Sequence, residues 1–160
     1  MESPTTEATD KKEETMATFS DFFHDLHEEM QYQPSNAVFL YVVGKNLAKR
    51  NKQALLGGVK KIESSRDIKE LIAAFKRAGI GVLHLESSDE RKKEFHFTLK
   101  NSMFKTTHKR PTCSVAGGIL ASAVEEVYGF YAGALETACV SQGDKQCEFK
   151  VKIVGKEPLR

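Results

Sequence analysis

The chain has 160 residues, 40% of them apolar, which is enough for one core of ordinary size but not for two. Its 24 basic and 22 acidic residues leave a net charge of +2, so no polyanion is indicated and nucleic acid is disfavoured as a partner. No apolar run approaches the roughly 18 residues that span a bilayer, and the polar N-terminus has no apolar signal-peptide core, so the expected location is the cytoplasm with no membrane partner.

Residues 1–16 are dense in charge and carry no large apolar residue between the two methionines at their ends, which predicts a disordered tail. Phe19, Phe22, Phe23, Leu26 and Met30 fall at helical spacing. Pro34 ends that helix, and Ser35 or Asn36 can cap a second one through Val38, Leu40, Val43, Leu47 and Ala48. The second helix is apolar over much of its first half and is expected to pack on more than one side. Lys45, Lys49 and Arg50 beyond it read as a solvated face. Gly57-Gly58 breaks the pattern. A third helix is expected from a Ser65 cap, with Ile68, Leu71, Ile72 and Phe75 on one face and Gly79 as its stop.

Ile80–Glu86 and Lys93–Lys100 read as two strands around a polar turn. In the second, Phe95, Phe97 and Leu99 alternate with His96, Thr98 and Lys100, the period of a half-buried strand. After Cys113 comes a helix rich in small residues, including Gly117 and Gly118, which lets a neighbouring backbone approach closely. Phe130–Val140 and Gln146–Val154 form a last pair of strands, and the Gly-Asp turn between them supports a hairpin. Cys147, Phe149, Val151 and Ile153 share one face of the final strand. The order of elements predicts an α+β fold, an antiparallel sheet with packed helices. Residues 17–155 are expected to form one domain, with 156–160 as a C-terminal tail.

All three cysteines, Cys113, Cys139 and Cys147, lie in the last third of the chain. In a reducing compartment they are expected to bind metal or to be buried as free thiols. There is no CxxC pair, and spacing alone leaves both readings open. Glu136 lies three residues before Cys139, so in an ideal strand the two would face opposite ways. A shared metal then requires a bulge or the strand end nearby. Three thiolates and a carboxylate would make a closed tetrahedral set, which suits structural zinc and not calcium or magnesium.

The segment Pro111–Val154 is similar to the 4-vinyl reductase domain, a small-molecule-binding module. The likeness rests on Pro111-Thr112-Cys113, Gly117-Gly118, the run Gly129–Cys139, and Gly143-Asp144-Lys145-Gln146-Cys147-Glu148-Phe149. The resemblance implies zinc at Cys113, Glu136, Cys139 and Cys147, as in the sensor domains of phenol-responsive bacterial regulators. It also implies the fold of the small subunits of the transport-protein-particle tethering complex, a homodimer, and a small hydrophobic or aromatic ligand in a pocket. Candidate pocket residues are His84, Phe95, Phe97, Phe104, Tyr128, Phe130 and Tyr131. The chain has no tryptophan, so the histidine and tryptophan that hold phenol in those sensors have no full counterpart. These 160 residues are expected to hold no counterpart of their ATPase and DNA-binding domains, so a sensor's output is expected to pass to another protein.

No dinucleotide fingerprint, phosphate loop or nucleophile elbow occurs, so the expectation is a non-enzyme. The leading function is a ligand-binding sensor or carrier. The alternatives are a dimeric interaction module with a self-filled pocket, and an accessory to tetrapyrrole vinyl reduction.

Overall fold

The computed structural model describes residues 36–57, 68–106 and 112–158, without the side chains of 36 and 155–158. The predicted tail, the Phe19–Met30 helix, the Ser65 cap, Pro111 and the last two residues lie outside the described residues. Those from Ala37 onward fall within one unit, Ala37–Arg160.

Helix α1 spans Asn36–Arg50 and is followed by a short helix α2, Lys52–Leu56. Helix α3, Ile68–Arg77, buries Ile68, Leu71, Ala74 and Phe75, a stripe at helical spacing. It stops where Gly79 adopts φ +71. Gly79 N donates to Lys76 O at 3.1 Å and Ile80 N to Phe75 O at 3.1 Å, the paired bonds of a glycine-terminated helix end.

Four strands follow: β1 Val82–Asp89, β2 Glu94–Lys100, β3 Phe130–Ala138 and β4 Cys147–Pro158. They form one antiparallel sheet in the order β1-β2-β4-β3. The register sets Leu83 opposite Leu99, Phe97 opposite Phe149, and Phe95 opposite Val151. All six are buried, so the apolar face read from period-two alternation is the core face. Thr98 departs from the alternation. It belongs to the polar set yet is buried, and its hydroxyl donates to Glu86 Oε1 at 2.8 Å.

Helix α4, Ser114–Tyr128, precedes β3 and packs against it. It is buried along almost its whole length, as its run of small and apolar residues anticipates. Gly129 closes it at φ 73, donating to Glu125 O. Helices α1 and α4 meet backbone to backbone. A Cβ on Gly118 would collide with the Tyr41 carbonyl oxygen, and a Cβ on Gly44 with the Val115 carbonyl oxygen. Only glycine permits this approach.

Two expectations for α1 need correction. Val38, Phe39 and Val42 are 70%, 50% and 47% exposed, so the helix packs on one side and leaves an apolar face outward. Lys45 is not a solvated residue: its Nζ lies 2.6 Å from Glu125 Oε1, and that carboxylate is buried inside α4. The same oxygen accepts from Ala132 N at 3.2 Å. A buried carboxylate requires such partners, and they join α1, α4 and β3.

Candidate metal centre

The structure brings Cys113, Glu136, Cys139 and Cys147 together from four places in the chain. One ligand atom from each lies within 4.8 Å of all the others. Cys113 stands immediately before α4, and Gly117 N closes the first turn on its carbonyl at 3.1 Å. Cys147 opens β4 on the core face, opposite Leu99. Glu136 sits on β3 opposite Phe149, so it faces the same side. The register shifts between Glu136 and Ala138, and β3 ends there. That irregularity turns Cys139 back to the side of Glu136, which an ideal strand would not allow.

A tight turn holds the two late cysteines. Val140–Gln142 is a single 3₁₀ turn closed by Gly143 at φ 106. Asp144 Oδ2 accepts from Cys139 N at 2.8 Å, and Asp144 N donates to Cys139 O at 3.3 Å. Val140 N donates to Cys147 Sγ at 3.5 Å, the kind of backbone bond that supports a thiolate. A 3.5 Å hydrogen bond joins Cys113 Sγ to Ser102 Oγ; with Cys113 as a thiolate, the hydroxyl is the donor. Further out, Ser141 Oγ and Thr112 Oγ1 are 2.7 Å apart, and Thr112 donates to Phe104 O at 2.7 Å. This hydroxyl chain pins the Ser102–Thr106 loop to the cluster.

Without a cation the four groups cannot all be ionised. The thiols of Cys113 and then Cys147 offer their protons to Cys139 and hold it well below the usual thiol range. Sharing its proton with Cys139, and then with Cys147, drives Cys113 far up, and burial adds to this. For Cys147 the Cys113 thiol acts downward, but Cys139 and burial outweigh it and push the group up to about 12. Glu136 is pushed up to about 8, first by burial and then by the adjoining Cys139 sulfur. Its Oε1 is buried with no hydrogen-bond partner, while Oε2 accepts from Ser114 at 3.2 Å.

These features fit a bound divalent metal. A zinc–sulfur bond of about 2.3 Å puts tetrahedral donors about 3.8 Å apart, so a cluster already within 4.8 Å needs little contraction. A bound metal would give the buried carboxylate of Glu136, whose Oε1 has no hydrogen-bond partner, a compensating charge, and would displace the shared protons. A metal-free Glu136→Gln comparison exposes the balance. The folded-state value of Glu136 lies above its ordinary 4.5, so its contribution is fully present below about 4.5 and lost as pH rises through about 8. At pH 8 with chelator, Glu136→Gln is expected to raise Tm by about 3 °C, and with zinc to lower it by a similar amount. Differential scanning calorimetry in both conditions checks this; a variant as stable as wild type in zinc would exclude Glu136 as a ligand.

Beside the cluster lies an open cleft of about 450 Å³. Its walls are Ala37, Val38 and Tyr41 of α1, Ser114 and Gly117 of α4, the β3 stretch from Ala134 to Ala138, and Gln142. The Tyr41 hydroxyl accepts from Ala134 N at 3.3 Å. Glu136 therefore belongs both to the cluster and to the cleft wall.

The aromatic candidates lie elsewhere. Phe95 and Phe97 are core residues with ring centroids 6.3 Å apart, and Phe95 stacks on Tyr128 at 5.4 Å. His84 is exposed on β1, and Tyr131 is exposed on β3. Phe130 lies under Lys93 Nζ, 4.8 Å from its ring centroid, and Phe104 is half-buried in the loop after β2. None of the seven lines this cleft. Tyr41, Ser114 and Gln142 do, and their spacing carried no signal because they come from three separate segments.

Fold and site together define an α+β domain with a buried three-thiol, one-carboxylate cluster at the edge of its sheet. Residues 97–153 match the family model of the 4-vinyl reductase domain, just over a third of the chain. The resemblance to the 4-vinyl reductase family is thus found. An uncharacterized protein of Methanocaldococcus jannaschii is 28% identical over 122 residues, 73% of this chain and 65% of that protein, so the match spans slightly under two thirds of the relative's length. Among solved structures, a vinyl-4-reductase family protein from the same organism superposes with TM-score 0.52 and 25% identity, over 88% of this chain and 80% of the other. A trafficking protein particle complex subunit 3 from Naegleria fowleri, covalently bound to palmitic acid, gives TM-score 0.70 at 18% identity, covering 89% and 96%. The phenol-responsive sensory domain of the transcription activator PoxR, with phenol, gives 0.57 at 15%, covering 86% and 73%. The last two likenesses are likenesses of fold. No helix among the described residues is long and apolar enough to cross a membrane.

Proposed function

We propose that this chain is a zinc-stapled domain of the 4-vinyl reductase type that binds a small hydrophobic or aromatic molecule as a sensor or carrier in the cytoplasm. The observation that carries the metal half is the four-donor cluster. Three thiolates and one carboxylate fill a tetrahedral shell and leave no position for water, so the zinc is structural and no step of chemistry runs on it. Structural neighbours with phenol and with palmitic acid bound support the ligand half. The cleft of about 450 Å³ falls in the usual size range of small-molecule sites.

Native mass spectrometry of the purified chain tests both halves at once. One zinc per chain and a small molecule, co-purified or bound from a panel of aromatics and lipids, is the expected result. Zinc with no binding across the panel would leave only an interaction module.

We further propose a homodimer. The outward Val38, Phe39 and Val42 of α1 form an apolar strip that water contacts at a cost. Phe39→Glu is expected to shift the chain toward monomer by at least tenfold in dissociation constant, about 1.4 kcal/mol. Light scattering on the eluting peak measures it, and an unchanged dimer would place the interface elsewhere.

A further inference from the structure

The cleft and the cluster share a wall, and that wall has consequences for both. Ser114 follows Cys113, Ala138 precedes Cys139, and Glu136 itself belongs to the cluster, yet all three line the cleft. The inner face of β3 here carries only Ala132 and Ala134 beside Glu136, so the space is made by small side chains. Leu135, 65% exposed, stands in the lining as apolar surface open to solvent, and Val38 joins the lining to the apolar strip of α1.

The polar groups select among ligands. The Tyr41 oxygen accepts from Ala134 N and still has its own proton to donate. Glu136 reaches the same stretch two residues along, and its Oε2 accepts from Ser114 with a lone pair remaining. A ligand hydroxyl entering there accepts from Tyr41 and donates to Glu136. A ligand carboxylate meets Glu136 and the thiolates behind it, a like-charge contact in a partly buried site. An apolar ligand leaves both groups unpaired.

We propose that this cleft binds a small, largely apolar molecule bearing a hydroxyl group, and that its occupancy is transmitted to the metal through Glu136. The proposal rests on the metal reading of the cluster. A ligand that bonds to Oε2 shifts electron density and position in the carboxylate that also belongs to the cluster. By linkage, the metal then changes the affinity for the ligand by the same factor.

Cobalt-substituted protein gives the test, because cobalt absorption bands report the ligand field directly. Benzyl alcohol, toluene and benzoate are titrated while the bands and the backbone amide shifts are recorded. Benzyl alcohol is expected to move the amides of Ala134–Ala138 and the cobalt bands together. Toluene should bind more weakly without moving the bands, and benzoate should not bind. Tyr41→Phe should weaken benzyl alcohol about fivefold, the effect of one hydrogen bond, with cobalt still bound. Ala134→Leu, which fills the cleft, should abolish binding and keep the metal. Benzoate binding as well as benzyl alcohol, or lining amides that do not move, would overturn the site. Amide shifts with static cobalt bands would overturn the coupling and leave the metal assignment standing. A chain that takes up neither cobalt nor zinc would overturn the metal assignment and the coupling with it.

Discussion

Cys139→Ala is expected to lose stoichiometric zinc and to lower Tm by about 15 °C in the same preparation. Structural zinc contributes about 10 kcal/mol or more to the folding of small zinc domains, comparable with the whole net stability of a typical domain. Here the sheet and α4 form a core of their own, so the loss should be smaller, about 5 kcal/mol, and each kcal/mol corresponds to about 3 °C at this chain length. Cys139 also anchors the turn that carries the two late cysteines. Its backbone is tied to Asp144 on both sides, and its sulfur is the one that Cys113 and Cys147 hold as a thiolate. Metal analysis and calorimetry on one sample are the required measurements. Full zinc content with wild-type melting would remove Cys139 from the ligand set.

Gly118→Ala should destabilise the chain by about 3 kcal/mol, as expected for overpacking against a rigid neighbour. In an exposed helix the same change would stabilise by about 1 kcal/mol through propensity. The sign reverses because the new methyl would occupy the position of the Tyr41 carbonyl oxygen, and that oxygen belongs to the α1 backbone. Gly44→Ala meets Val115 in the same way and should behave alike. Gly133→Ala is the control: nothing lies within 4 Å of its added Cβ, so its effect should stay within about 0.5 kcal/mol. Urea unfolding of the three variants distinguishes the cases. A Gly118→Ala protein as stable as Gly133→Ala would mean that α1 does not sit on α4.

The pattern of Phe95, Phe97 and Leu99 against Cys147, Phe149 and Val151 made the core face of the sheet legible, because period two is a property of the chain itself. The close α1–α4 contact was half visible. Gly117-Gly118 signalled an approaching backbone, but only the structure identifies α1 as the partner and Gly44 as the matching glycine. The four-donor cluster depended on a feature that spacing could pose but not decide. Glu136 and Cys139 meet because the register slips at Thr137 and the strand ends. Lys45 was misread because its partner, Glu125, lies 80 residues away and no local rule pairs them. The cleft was illegible for a related reason: Tyr41, Ser114 and Glu136 become neighbours only when three elements converge. The aromatics that drew attention as pocket candidates were conspicuous by residue type, and residue type does not separate a core ring such as Phe97 from a binding one.

The most direct measurement is X-ray absorption at the zinc edge on the protein as purified. Three sulfur neighbours and one oxygen is the expected shell, with no change when Ser114 is replaced by Ala and loss of the oxygen when Glu136 is replaced by Ala. A shell of nitrogen and oxygen alone, or no zinc signal at one equivalent per chain, would contradict the assignment of Cys113, Glu136, Cys139 and Cys147.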